Sequence, residues 1–206
     1  MIKCVIFDCD GTLVDSEYLC NLALEINLAQ LDIQESAISL MERYRGWKLS
    51  KIFDEIETIH KVKLDESIYR SLVAELFDRE LKPIEGVNEA LSKIQQVKCV
   101  ASSAPLAKIE QALRVTNLSS FFGSHIFSSY IVKSWKPDPH LFLYAAQAMN
   151  FHPEECAVIE DSEVGLIAAT KAGMPTYFFN PQNLECKINN VISFDRMIEL
   201  PSFFYT

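Results

Sequence analysis

The sequence predicts an α/β fold: a doubly wound, mostly parallel sheet with an α-helical domain inserted after its first strand. Three observations lead there. Short, nearly continuous apolar runs recur along the chain, as strands covered on both faces require. Helix-like segments separate them, and alternating strands and helices imply parallel pairing with helices on both faces. Residues 16–82 break this rhythm, with amphipathic segments and no convincing strand. A chain of 206 residues is long enough for one sizeable core and a smaller appendage.

In chain order, Ile2–Phe7 reads as the first strand. The insertion follows, with helical segments at Glu17–Leu31, Glu35–Tyr44, Leu49–Ile59 and Glu66–Leu81. "LKPIEG" (Leu81–Gly86) returns the chain to the sheet, which divides it into a core of residues 1–15 and 83–206 and an inserted domain of 16–82. In the core, Val87–Ile94 is helical, Val97–Ala101 a strand, Leu106–Val115 a helix, Ile126–Phe127 a weaker strand and Leu141–Met149 a helix. Cys156–Ile159 is a strand, and Ser162–Ala172 a helix with Ser162 as N-cap and Gly173 just past its end. Thr176–Phe179 and Val191–Phe194 complete the sheet, and the apolar "ELPSFFYT" at residues 199–206 is expected to dock on the core.

Composition narrows the function. A net charge of −9 argues against nucleic-acid or anionic-membrane binding, and any anionic substrate must be met by local cations. No apolar stretch approaches the roughly 20 residues of a membrane span. The first residues hold one lysine and a strand-like run ending at Asp8, so a signal peptide is not expected. Six cysteines without metal-type spacing read as buried, reduced thiols of a cytoplasmic protein.

The chemistry-bearing residues follow the strands. Asp8 and Asp10 follow the first, Ser102 and Ser103 the second, Glu160 and Asp161 a later one, and Lys136 stands in "WKPDP" before a helix. Ligands bind outside the carboxyl ends of the strands of an open parallel sheet, so these groups are expected to converge. Carboxylates without histidine or thiolate suit a hard cation such as Mg²⁺. A serine and a lysine beside them suit a phosphoryl group. One aspartate is then placed to attack phosphorus and its neighbour to act as acid and base. Gly11 lets the chain turn close to the ligand, and the N–H groups of the Cys9–Gly11 turn are expected to face phosphate oxygens.

"DCDGT" (Asp8–Thr12), "VASS" (Val100–Ser103), "KPDP" (Lys136–Pro139) and "IEDSEVG" (Ile159–Gly165) resemble the four ordered motifs of the haloacid-dehalogenase (HAD) superfamily of phosphotransferases. The resemblance implies a Rossmann-like core with a small helical cap at 16–82. It implies that Asp8 is the nucleophile and a Mg²⁺ ligand, and that Asp10 is the acid/base, with its main-chain carbonyl on the metal. Ser102, Ser103 and Lys136 hold the phosphoryl group, Asp161 is a metal ligand and Glu160 supports the metal shell.

The whole chain is similar to the β-phosphoglucomutase-like and phosphoglycolate-phosphatase-like branch. "FDCDGTLVDSEYLC", "RYRGWKL", "WKPDP" and "AAQAMN" resemble bacterial 6-phosphogluconate phosphatases. Mutases of the branch carry a histidine shortly after the first motif, where this chain has "DSEYLC" with Cys20, a poor replacement near neutral pH. Hydrolysis of a phosphorylated sugar or sugar acid such as 6-phosphogluconate is therefore expected, with a phosphosugar mutase as the alternative. In the inserted domain Arg43, Arg45 and Lys48 read either as a solvated basic face or as a patch that meets a substrate carboxylate. A signalling receiver fits less well, because the acceptor aspartate lies on the first strand and the insertion has no purpose there. A non-catalytic binding protein fits poorly with an intact Asp8, Asp10, Lys136 and Asp161. The expected partner is a small phosphorylated molecule, and the expected state a monomer.

Overall fold

The computed structural model describes residues 1–204. The chain runs β1 (Cys4–Phe7), α1 (Glu17–Ala29), α2 (Ala37–Tyr44), α3 (Leu49–His60), α4 (Glu66–Glu80) and α5 (Val87–Lys93). It continues through β2 (Val97–Ser102), α6 (Leu106–Val115), α7 (Ser119–Phe122), β3 (Ile126–Ser128), α8 (Ser129–Val132) and α9 (His140–Ala148). β4 (Cys156–Glu160), α10 (Glu163–Lys171), β5 (Thr176–Phe179) and β6 (Val191–Phe194) follow, then a 3₁₀ segment at Met197–Phe204. It separates into two compact units, Met1–Asp15 with Lys82–Thr206, and Ser16–Leu81.

The larger unit is a six-stranded sheet of order β3-β2-β1-β4-β5-β6, and every pairing is parallel. From β1 the chain builds outward through β2 and β3, then crosses back to β4 on the other side of β1. The order reverses between β1 and β4, the position where open α/β sheets bind ligands. Phe7 pairs with Ile159 there, so Asp8 and Glu160 leave the sheet side by side.

Both faces of β1 are dry. Cys4 and Ile6 join Cys99, Ala101, Leu141, Phe142, Ala145, Val158 and Ala168 in one core. Phe7 meets Phe122 edge-on at 5.9 Å between ring centroids. Leu200, Pro201 and Phe204 are buried, and Phe203 and Phe204 stack against Tyr177. The C-terminal segment is thus docked as far as it is described, and Tyr205 and Thr206 lie outside the described residues. All six cysteines are free thiols, and Cys4, Cys9, Cys99 and Cys156 are buried.

The smaller unit is four helices around its own apolar centre. Leu19, Ala23, Leu24 and Leu28 of α1 and Tyr69, Val73, Leu76 and Phe77 of α4 are buried, as are Leu40 and Tyr44 of α2 and Phe53 and Ile56 of α3. The helices begin on side-chain caps where the sequence provides them: Ser36 Oγ accepts from Ser39 N, and Asp65 from Ser67 N. Among the described residues no helix is long and apolar enough to cross a membrane.

Candidate active site

Four strand ends and one loop supply the site. Asp8, directly after β1, and Glu160, the last residue of β4, are buried. Lys136, on the loop before α9, reaches between them. Its Nζ donates to Asp8 Oδ1 and to Glu160 Oε1 and lies 5.0 Å from the centroid of the Phe142 ring. The remaining oxygen of Glu160 is as fully committed: Oε2 accepts from Asp161 N at 3.0 Å, Ser162 N at 2.9 Å and Ser162 Oγ at 2.8 Å. Glu160 is therefore folded back on the Asp161–Ser162 segment that leads into α10, whose N-terminal dipole favours an anion. That posture needs Gly165, because a Cβ there would lie 1.9 Å from Glu160 Oε1.

Asp161 completes the carboxylate cluster. Thr12 Oγ1 donates to its Oδ1 at 2.8 Å, and Gly11, at φ +80°, passes so close that a Cβ would lie 2.2 Å from Asp161 Oδ2. Gly11 thus serves twice, through a left-handed backbone and through the missing side chain.

Asp8, Glu160 and Asp161 each offer an oxygen within 4.8 Å of the others. Burial pushes the Asp8 carboxyl up to about 7; Lys136 opposes this and Glu160 adds to it. Asp161 is pushed well up by burial, then by Glu160 and Asp8. Burial alone would lower Lys136, but Asp8 and Glu160 reverse this and hold it above its ordinary value. One ammonium stands among three carboxyls, two of them buried and Asp161 partly so, and when ionised they carry more negative charge than it neutralises. An all-oxygen donor set of that charge fits a hard divalent cation and offers nothing to a softer one.

Asp10 stands apart from this cluster. Its carboxylate accepts from Lys108 Nζ through both oxygens, at 3.0 and 2.9 Å. Lys108 lies in the first turn of α6. The segment between β2 and α6 carries the two serines: Ser102 is buried with its Oγ accepting from Ala104 N at 3.2 Å, and Ser103 is half-buried. Ser128, at the end of β3, pins the same segment by donating to the Ala104 carbonyl at 2.6 Å.

The structure thus brings together Asp8, Lys136, Glu160 and Asp161. It corrects one expectation in part: of the N–H groups of the Cys9–Gly11 turn, that of Gly11 is taken up by the Val14 carbonyl at 2.9 Å, because the turn after Asp10 closes on itself. Arg43, Arg45 and Lys48 belong to the smaller unit. They straddle the α2–α3 turn and do not form a single helix face: Arg43 ends α2, Arg45 follows it and Lys48 precedes α3. Arg43 binds Glu35 at 3.1 and 3.2 Å, and Arg45 stands 3.6 Å from Glu17.

Lys108 and Ser128 were not singled out by the sequence reading, nor was any role given to Thr12. For Lys108 a signal existed: a lysine in the first turn of a helix sits at the wrong end of the dipole, which invites the question of what anion it meets.

A parallel sheet with buried carboxylates and one lysine at its switch point defines a class, the α/β enzymes that work on phosphoryl or similar anionic groups through a carboxylate. Comparison with known proteins narrows the class. Residues 2–173 match the family model of the haloacid dehalogenase-like hydrolases. The chain is 37% identical to a 6-phosphogluconate phosphatase of Escherichia coli (strain K12), over 97% of this chain and 93% of that one. It is 28% identical to a β-phosphoglucomutase of Bacillus subtilis (strain 168), over 84% and 81%. A solved structure of a conserved haloacid dehalogenase-like protein from Agrobacterium tumefaciens strain C58 matches with TM-score 0.81 at 26% identity, over 99% and 98% of the two chains. The chain belongs to the haloacid dehalogenase-like hydrolases, and within them to the phosphatases. Hydrolases of this family generally use a divalent metal.

Proposed function

We propose that the protein hydrolyses a small phosphomonoester, a phosphorylated sugar or sugar acid such as 6-phosphogluconate, with Mg²⁺ and through an aspartyl-phosphate on Asp8. The observation that carries this reading is the grip of Lys136 on Asp8 beside Glu160 and Asp161. The Escherichia coli phosphatase supports the choice of substrate.

Asp8 is the nucleophile. Its carboxylate oxygen bonds to phosphorus as the ester P–O bond breaks. The bonding pair leaves with the ester oxygen, which takes a proton from Asp10. A water oxygen then attacks the same phosphorus and gives a proton to Asp10. The P–O bond to Asp8 breaks, its electron pair returns to the carboxylate, and inorganic phosphate leaves. Lys136, with Ser102 and Ser103, holds the phosphoryl oxygens through both steps. Asp8, Asp161 and the Asp10 carbonyl, with Glu160 behind them, would hold a Mg²⁺ ion, which would supply the positive charge that lets a phosphate dianion approach a carboxylate.

The unit of residues 16–81 acts as the cap, and one or two of Arg43, Arg45 and Lys48 recognise a substrate carboxylate, which the planar guanidinium suits. We place the enzyme in the cytoplasm as a monomer, in keeping with its six free thiols.

The test is phosphate release from 6-phosphogluconate, hexose phosphates, phosphoglycolate and nucleoside monophosphates, with Mg²⁺ and with chelator. Chelator-sensitive release that favours 6-phosphogluconate and vanishes in Asp8→Asn is the expected result. Full activity in Asp8→Asn overturns the mechanism. Conversion of β-glucose 1-phosphate to glucose 6-phosphate without release overturns the hydrolase in favour of a mutase.

A further inference from the structure

The Asp10–Lys108 pair joins residues 98 positions apart. Three features make it more than a surface ion pair. The ammonium spans both carboxylate oxygens, at 3.0 and 2.9 Å, which fixes where the carboxyl plane points as well as where it sits. Both side chains are partly covered, Lys108 24% and Asp10 32% exposed, so the pair is neither a fully solvated surface contact nor a dry one. Lys108 also occupies the first turn of α6, where a cation opposes the helix dipole and weakens the helix. Helix stability therefore does not account for a lysine there, whereas a carboxylate partner from the β1 turn does.

We propose that Lys108 is a positioning residue: the ammonium that spans both Asp10 oxygens holds the carboxyl in place, so that when the ester oxygen and, in the second step, water arrive, one oxygen is given up to them while the other stays with the ammonium. The proposal rests on the acid–base role given to Asp10 above. Proton transfer demands a donor within hydrogen-bond reach and correctly aimed, and a misplacement of about 1 Å can cost about 100-fold in rate. Lys108 reaches Asp10 from β2's following helix, which also follows the segment bearing Ser102 and Ser103. The same helix start thus places the phosphate-holding segment and the anchor of the proton donor in one fixed frame.

Leaving-group dependence separates this role from others. An alkyl ester such as 6-phosphogluconate needs a proton on its departing oxygen. The aryl ester p-nitrophenyl phosphate does not, because nitrophenolate leaves unaided. Lys108→Met, Lys108→Arg, Asp10→Asn and the double variant Asp10→Asn with Lys108→Met are compared in single-turnover phosphorylation and in steady state. Thermal melts confirm that each variant is folded.

For the alkyl ester, Lys108→Met is expected to lower kcat by about 10- to 100-fold with KM changed by less than about threefold. The nitrophenolate burst should stay within about threefold of the native rate. Lys108→Arg, which can still span two oxygens, should recover most of the loss. The double variant should be no slower than Asp10→Asn alone, since residues acting as one unit are non-additive.

An equal loss on both esters, or a rise in KM with kcat unchanged, overturns the proposal, because it makes Lys108 a phosphate contact or a general structural support. An impaired Asp10→Asn beside an unimpaired Lys108→Met overturns the role of Lys108 alone. An unimpaired Asp10→Asn overturns the acid–base assignment itself, and the anchoring with it.

Discussion

Asp8 and Asp10 are one residue apart, each grips a lysine, and they inhabit different surroundings. Around Asp8 the pair is dry: the Lys136 side chain is 4% exposed and that of Glu160 1%. Around Asp10 water has access, with Lys108 24% and Asp10 32% exposed. The same residue types are thus asked for different things. In the dry corner a charge cannot be left alone: Lys136 is held by Asp8 and Glu160, and Glu160 by Lys136 and three donors on its other oxygen. In the wetter corner solvent can cover a lost partner, and the pair sets direction more than stability.

The sharpest way to break this contrast is Lys136→Met. It leaves Asp8 and Glu160 buried without their shared cation, and breaking such a pair costs about 3–5 kcal/mol. Urea unfolding at pH 8 should read that loss, and at pH 5 a smaller one, because Asp8, raised to about 7, then takes up a proton. A cost below about 1 kcal/mol at pH 8 would mean that the corner is wetter than its burial implies.

Metal and pH probe the same corner from the other side. The Asp8 carboxyl, at about 7 when folded, lies above the unfolded value near 4, and Asp161 is raised as well. The folded, chelated protein therefore binds more protons than the unfolded chain, and its stability falls as pH rises from about 4 to about 7. Mg²⁺ bound to these carboxylates, as proposed, would take the place of those protons. At 100 times its Kd it stabilises by about 2.7 kcal/mol, and the thermal shift it causes should be larger at pH 7 than at pH 5. A shift that shrinks as pH rises would refute the charge argument.

Gly165→Ala tests how tightly the dry corner is packed. On helix propensity alone alanine would gain about 1 kcal/mol in α10. The added Cβ, however, would sit 1.9 Å from Glu160 Oε1, and Glu160 cannot retreat without losing Lys136 or the three donors on its other oxygen. Overpacking should win, with a net loss of about 2 kcal/mol in chemical unfolding. A neutral or stabilising alanine would show that Glu160 has room to move.

The dry corner was also the legible one. β1, β4 and β5 are covered on both faces, so they read as continuous apolar runs, and the carboxylates that end β1 and β4 stand out against those runs. Thr176–Phe179 and Val191–Phe194 have the bounds their pattern predicts. α9 begins at His140, one residue before the expected Leu141, because helix ends fray and the first turn carries no apolar periodicity. α7 and α8 are four residues each, too short to display a 3.6-residue period. The Gly11 N–H was misread because the choice between ligand and Val14 carbonyl is made by how the turn closes, which residue types do not reveal. Lys108 escaped notice for a related reason. Its partner is 98 residues away, and only the packing of α6 beside the β1 turn brings them together. The motifs announce the carboxylates, serines and lysine at the strand ends, while the groups that hold them in place emerge from tertiary approach.

The smallest expected effect is therefore the most discriminating. Exposed and half-exposed ion pairs contribute about 0–1 kcal/mol, since water replaces much of what the partner supplied. Removal of Lys108 from the first turn of α6 also relieves an unfavourable interaction with the helix dipole of similar size. The two terms oppose each other, so Lys108→Met should change unfolding stability by less than about 1 kcal/mol and in either direction. Set beside Lys136→Met under the same conditions, that result would show two lysines on neighbouring aspartates differing several-fold in what they hold up. If Lys108→Met instead cost about 3 kcal/mol or more, the wetter corner would be structural in its own right, and the division between a corner that holds the fold and a corner that aims a proton would collapse.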